Sequence, residues 1–432
     1  MVHLSWPITH GNDMMAGCVL RSEILTNSWW RLPRRLEWWR SLLYGLIITL
    51  GQTLFVCSHS GCPNLPEAFV HLYQFDSFWY GAIATEGYRS RVPPDIKDPK
   101  QNNVAFFPGY PLLVRLVQLG LGIDVKFAAL FAALLACWGF WTYLLLFLAR
   151  WQVSRAITFA ALAVLLAHPA AFFLVAAFSE SLFLMALLGF LYWSTEQDSW
   201  LLAAKHGFLM TATRIVGLPL SVAPLLQLLT YSSERRRQKI ISLFLLAGVA
   251  SLGGILFFTF CAGEYGAWDL YMQTQRNCFR VAPDYLAVFR PSSYRVFLPE
   301  PFEELVHPND LSRLAVSFTI ALFGVLLLRE IWVACTYPDS GWRQRLAFYW
   351  CAWFLFAIPV CGVASVGMSS MVRYALCVHV MQVLAAVHLF SRRPLKDLAA
   401  GLAWILLFWG VCNSLLLQSW LAYRFTHSKW VA

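Results

Sequence analysis

Long apolar runs, separated by short polar breaks, set the pattern of this chain. "FAALLACWGFWTYLLLFLA", "ISLFLLAGVASLGGILFFTF" and "LAAGLAWILLFWGVCNSLLLQSWLA" run near or beyond the roughly 18 apolar residues that suggest a membrane-crossing helix. No strand-like alternation accompanies them. The pattern predicts spans at 40–56, 126–149, 156–172, 180–194, 240–261, 313–333, 346–364, 372–390 and 397–420. Residues 200–230 are too long for one simple span and carry Lys205, His206 and Arg214 near the middle, which predicts two short helices meeting near Arg214. Residues 104–122 are apolar but broken by Pro108 and Pro111. They read as an interfacial or re-entrant piece, with a full span as the alternative. The sum is roughly eleven crossings in a single transmembrane domain over 1–432, with two long loops at 58–125 and 263–312 on one side.

The first of these loops holds "HLYQFDSFWYGAIATEGYRS". Phe75, Phe78, Trp79, Ala82 and Ile83 recur at helical spacing and predict an amphipathic helix. Asp76 falls at the edge of that stripe, where apolar surface meets water.

Composition agrees with the pattern. The chain is 59% hydrophobic and 13% charged, against about 25% charged residues in a soluble domain. The class is therefore an all-α polytopic membrane protein. The net charge of +10 does not point to nucleic acid, because the basic residues cluster in the short breaks "RLPRRLEWWR", "ARWQVSR", "SSERRRQK", "YPDSGWRQR" and "SRRPLK". That is the bias of cytoplasmic loops. It places the N-terminus inside and reads residues 1–40 as the anchor of an uncleaved first span. Most of the eleven cysteines lie in apolar runs and behave as small hydrophobes. Cys57 and Cys62 in "VCSHSGC" are the exception, and an oxidising compartment would allow them a disulfide. No Cys/His spacing of the metal-binding kind occurs.

Placing the basic breaks inside puts Asp76, His168, Glu180, Arg214 and Arg373 together at the outer ends. Ionisable groups at membrane level are costly and mark function, so one outward-facing site is expected. Asp76 can serve as general base. Glu86 either joins it or merely ends a helix before Gly87. Asn103, in "NNVAFFPGYP", lies in a rigid turn that forms a wall of the cavity. His168 and Glu180 flank "AHPAAFFLVAAFSESL"; Glu180 also suits a helix N-terminus. Arg214 in "TATRIVG" and Arg373 in "SSMVRYAL" are candidate phosphate ligands. Nucleotide-binding glycine loops and DxD-type acid pairs are absent, so a lipid phosphate suits the site better than a nucleotide donor.

"FDSFWYGAIATEGY", "NNVAFFPGYPLL", "HPAAFFLVAAFSESLF" and "ATRIVG", in that order over residues 71–217, resemble the PIG-V type mannosyltransferases, which include the second mannosyltransferase of GPI-anchor synthesis and prokaryotic relatives. Arg373-Tyr374 adds an Arg-Tyr pair beyond that region. The resemblance implies the GT-C fold, a polyprenyl- or dolichyl-phosphate sugar donor and a lipid or glycolipid acceptor. It further implies an inverting transfer on the non-cytoplasmic face, with Asp76 as the loop acid and no cofactor or metal. Where that family commonly has Trp before the Asp, this chain has Phe75. The chain contains no N-x-S/T sequon, which favours a prokaryotic origin and the plasma membrane; a eukaryotic origin would place the site in the endoplasmic reticulum lumen. Two alternatives stay open: a transferase of glucose or arabinofuranose, and a transporter, although the internal repeats expected of the latter are not seen.

Overall fold

A computed structural model describes residues 35–89, 102–195, 199–296, 308–337, 341–392 and 397–431. Among the described residues every regular element is helical. In chain order the α-helices are α1 (Arg35–Cys57), α2 (Leu65–Val70), α3 (Asp76–Glu86), α4 (Gly109–Leu121), α5 (Val125–Arg150), α6 (Arg155–Leu166), α7 (Glu180–Trp193), α8 (Trp200–Thr213), α9 (Gly217–Leu220), α10 (Ser233–Tyr265), α11 (Leu270–Phe279), α12 (Pro308–Thr336), α13 (Trp342–Val363), α14 (Met371–Arg392) and α15 (Asp397–Thr426). Seven of these, α1, α5, α10 and α12–α15, are long and apolar enough to cross a membrane. The chain is thus a polytopic helical membrane protein.

The other apolar segments are short, and one is shorter than the sequence predicts. Helix α6 stops at Leu166, not near 172. Pro169 supplies no N–H and disfavours helical backbone at His168, and the chain continues as a 3-10 turn over Ala171–Leu174. Helix α7 has 14 residues, of which all but Met185 are buried. At 1.5 Å per residue it is about 21 Å long, short of the roughly 30 Å hydrocarbon core. Walled by protein, it need not match that thickness. The outer helices do the reverse: on α15, Phe408 and Trp409 lie open on the outside, where lipid would meet them.

Contacts fix the direction of the helices. Helices α7 and α8 are antiparallel, with Gly189 against His206 midway and Glu180 meeting Arg214 at one end. Helix α8 runs beside α10 in the same direction, since Trp200 bonds the Ser242 carbonyl and Thr211 bonds that of Ala250. The break between them is as expected: α8 ends at Thr213, Arg214 is extended (φ −152°, ψ 143°), and α9 with a following 3-10 stretch leads back to Thr230. At the end opposite to Arg214, Arg345 is buried against Glu330, with His388 and Tyr349 joining the pair. The sequence reading had not singled out this buttress.

Two further expectations change, and a point that the sequence left open is answered. The cluster "SERRRQK" opens α10 as helix and is not a loop. The 263–312 segment contains α11, which buries Leu270 and Thr274. Cys57 and Cys62 are free thiols, the first buried.

Candidate active site

Helix α3 forms where the hydrophobic spacing predicted it, but it buries a different face. Ser77, Tyr80, Gly81, Ile83 and Ala84 point inward, while Phe78 is 55% exposed. The inward face is the one with small residues, as close helix packing within membranes favours. Gly81 shows why: a Cβ there would lie 2.1 Å from the Tyr73 hydroxyl. Phe75 is outside the helix, at its N-cap, with φ 50° and ψ −112°. Asp76 is therefore the first helical residue, and its carboxylate is in the first turn, where the helix dipole favours negative charge.

Four charged residues from four helices meet at this point. Arg373 Nη1 donates to Asp76 Oδ2 at 2.7 Å, and Arg214 Nη1 donates to Glu180 Oε1 at 2.8 Å. Arg373 Nε is 3.1 Å from that same Glu180 oxygen, within ion-pair reach but not aligned as a hydrogen bond, so Glu180 lies against both guanidiniums. Glu180 opens α7 and Arg214 closes α8. Each of those charges, like that of Asp76, suits the sign of its helix end. Tyr374 lies beneath both guanidiniums, 5.1 Å from Arg214 and 5.2 Å from Arg373, ring centre to Cζ. Burial grades the two acids. The Glu180 side chain is 1% exposed and that of Asp76 is 22% exposed. Glu180 Oε2 is buried and bonds to none of the described residues.

Aromatic residues close the surroundings. Phe173, Phe178 and Trp430 stand within 6 Å of Arg373 Cζ, inside the range of cation–π attraction. Tyr80 donates to Ser179 Oγ at 3.0 Å. Burial, with the Asp76 and Glu180 carboxylates nearby, pushes its phenol well above the usual range, so it keeps its proton and acts as a donor. Burial and the neighbouring Tyr374 raise Tyr271 of α11 in the same way. Tyr80, Phe178, Tyr271 and Trp430 were not picked out from the sequence. Tyr80 lay within the opening motif, but no local signal marked Trp430.

The structure thus brings together Asp76, Glu180, Arg214, Arg373 and Tyr374, and sets three other candidates apart. Glu86 ends α3, about 15 Å along the helix from Asp76, half-exposed and paired with Arg89. Asn103 clamps a loop base: its side chain accepts from the Arg89 N–H at 2.8 Å and donates to the Gly87 carbonyl at 3.1 Å. His168 pairs with His379 of α14, ring nitrogen to ring nitrogen, at 2.8 Å. The directions in that pair follow from its neighbours. His168 Nδ1 accepts from the Ala170 N–H, so Nε2 carries the proton and donates to His379 Nδ1. His379 Nε2 then donates to Thr319. The arginines also differ from expectation, because neither is an open cation; each is ion-paired with a carboxylate.

Neither a protein-family model nor a curated protein matches the chain.

Proposed function

We propose that this protein is a membrane glycosyltransferase that moves a sugar, with mannose the first choice, from a polyprenyl-phosphate donor to the hydroxyl of a lipid or glycolipid acceptor. One observation carries the reading. A partly exposed carboxylate, Asp76, pairs with one of two guanidiniums that a fully buried carboxylate, Glu180, lies against. The order of motifs over residues 71–217 agrees with this, as does the location of all four charges at one end of a membrane bundle.

Each group then has a task. Asp76 takes the proton of the acceptor hydroxyl as its oxygen attacks the anomeric carbon. The bond from that carbon to the phosphate oxygen breaks, and the electron pair leaves with the phosphate. One displacement inverts the anomeric centre. Arg214 and Arg373 stabilise the charge that develops on the leaving phosphate. A guanidinium has five N–H donors, so each can meet a phosphate oxygen without releasing Glu180. The full chain is read as having about eleven crossings, counting the shorter helices α6–α8 and the segment formed by α9 with its following 3-10 stretch, with this end of the bundle facing away from the cytoplasm.

The test is product analysis. Purified protein would be given polyprenyl-phosphate-mannose, -glucose or -arabinofuranose with membrane glycolipids, and the products read by mass spectrometry. Transfer from the mannose donor is expected. Transfer only from another donor changes the sugar, and no transfer from any donor overturns the reading.

A further inference from the structure

We propose that Trp430, on the segment that follows α15, is a positioning residue of this site: it bears on Phe75 and Arg373 together, and so fixes where the Asp76 carboxylate meets its guanidinium. The proposal rests on the glycosyltransferase reading for its effect on rate, but not for its geometry.

The segment folds back by hydrogen bonds that have no part in extending a helix. Lys429 N–H bonds the Arg424 carbonyl at 2.9 Å, and Ser428 has a φ of 58°. Thr426 Oγ1, which bonds the Ala422 carbonyl within α15 at 2.9 Å, also lies 3.1 Å from the His59 carbonyl, while the Thr426 carbonyl accepts from His71 Nδ1 at 2.8 Å. Ser428 Oγ donates to Gln74 Oε1 at 3.1 Å. These links tie the segment to residues just before the site, and Val431 is 2% exposed. Trp430 then presents its ring edge-to-face to Phe75, centroids 4.9 Å apart at 72°, and stands 5.9 Å from Arg373 Cζ. Phe425, 5.6 Å away, supports Phe75 from another side.

The contact matters because of the backbone it holds. A positive φ is disfavoured for a bulky residue with a Cβ, and such a conformation persists only where its surroundings over-determine it. Phe75 is the residue that launches α3, so its relaxation to negative φ would swing the peptide that carries Asp76. Trp430 acts on both partners of the Asp76–Arg373 pair, through Phe75 on one side and through the cation on the other. Pure bulk elsewhere in the core would not do this.

The experiment uses the full chain in lipid nanodiscs, as parent, Trp430→Ala and Trp430→Phe. Two readouts are taken. The first is hydrogen exchange at the Ser77 and Phe78 amides, which bond the Gln74 and Phe75 carbonyls at 3.0 and 3.1 Å. Exchange there is expected to accelerate in Trp430→Ala, with the rest of the bundle unchanged, and to return toward the parent in Trp430→Phe, which keeps an aromatic edge. The second is kinetics with polyprenyl-phosphate-mannose. A misplacement on the order of 1 Å can cost about a hundredfold, so kcat of Trp430→Ala is expected to fall by about tenfold to a hundredfold while KM stays within about threefold. Unchanged exchange at residues 77 and 78 would overturn the proposal, as would a uniform rise across all helices, which would make Trp430 a general stabiliser. A parental kcat in Trp430→Ala would overturn it too. If the parent itself transfers no sugar, the functional reading falls, and the exchange data still decide the role of Trp430.

Discussion

At the scale of single residues, the two acids of the cluster should respond differently to the same change. Asp76→Asn keeps shape and a hydrogen bond to Arg373 but removes the proposed proton acceptor. Transfer rate is expected to fall by about 10²–10⁴-fold, with little change in the donor KM and in the unfolding midpoint. Glu180→Gln removes the charge that two buried guanidiniums share. Breaking a buried pair in this way costs roughly 3–5 kcal/mol, so the midpoint of thermal unfolding in detergent should drop clearly. Glu86→Gln is the comparison: half-exposed and remote, it should stay within about 0.5 kcal/mol of the parent. An active Asp76→Asn beside a dead Glu86→Gln would move the base to the far end of α3. Asp76, Glu180, Arg214 and Arg373 were legible in the sequence because charge is rare at membrane level: Glu180 and Arg373 lie at the ends of apolar runs, Arg214 within a run too long for one span, and Asp76 at the edge of an amphipathic stripe. Their pairing was not legible. Asp76 and Arg373 are 297 positions apart, and nothing local states which acid takes which arginine. The partners of Asn103 and His168 were not legible for a related reason, since a polar residue near a site looks the same whether it clamps a loop, pairs with another histidine or touches substrate.

At the scale of helices, glycine decides how closely neighbours approach. A Cβ on Gly253 of α10 would lie 2.1 Å from the Phe208 carbonyl oxygen and 2.7 Å from the Ala212 nitrogen, both backbone atoms of α8. Gly253→Ala must therefore push α10 off α8, and with it Arg214, the next residue after α8. Gly263, on the same helix, has nothing within 4 Å of its would-be Cβ. Gly263→Ala should be neutral or stabilise by up to about 1 kcal/mol through helix propensity. Comparing the two unfolding midpoints checks the packing; equal midpoints would contradict it. Helix existence was readable from the apolar runs, and the break at Arg214 from a polar residue within a run too long for one span. The inward face of α3 was not, because the periodicity rule assumes that apolar residues seek the core. Where lipid is the surroundings, Phe78 gains nothing by turning inward, and Tyr80 with Gly81 packs better there.

At the scale of the whole molecule, the described residues of the basic breaks, such as Arg150, Arg236 and Arg392, lie at helix ends opposite to the charged cluster. With the basic end cytoplasmic, a cysteine at Tyr285, which is 81% exposed, should react with an impermeant maleimide in intact cells. One at Arg236, in the first turn of α10, should not. The reverse result would turn the proposed site to the cytoplasm. The shared grip of Glu180 also bears on how such a chain enters a bilayer. Helices α7 and α8 are consecutive and antiparallel, so Glu180 and Arg214 meet within one hairpin. They can leave the translocon as a neutral pair, at far lower cost than two lone charges. Asp76 has no such companion nearby in sequence, and its cation arrives only with α14. A nascent chain halted at residue 260 is thus expected to integrate α7 and α8 stably, and Arg214→Leu should impair their integration at that stage; the cluster would be finished only when synthesis nears its end.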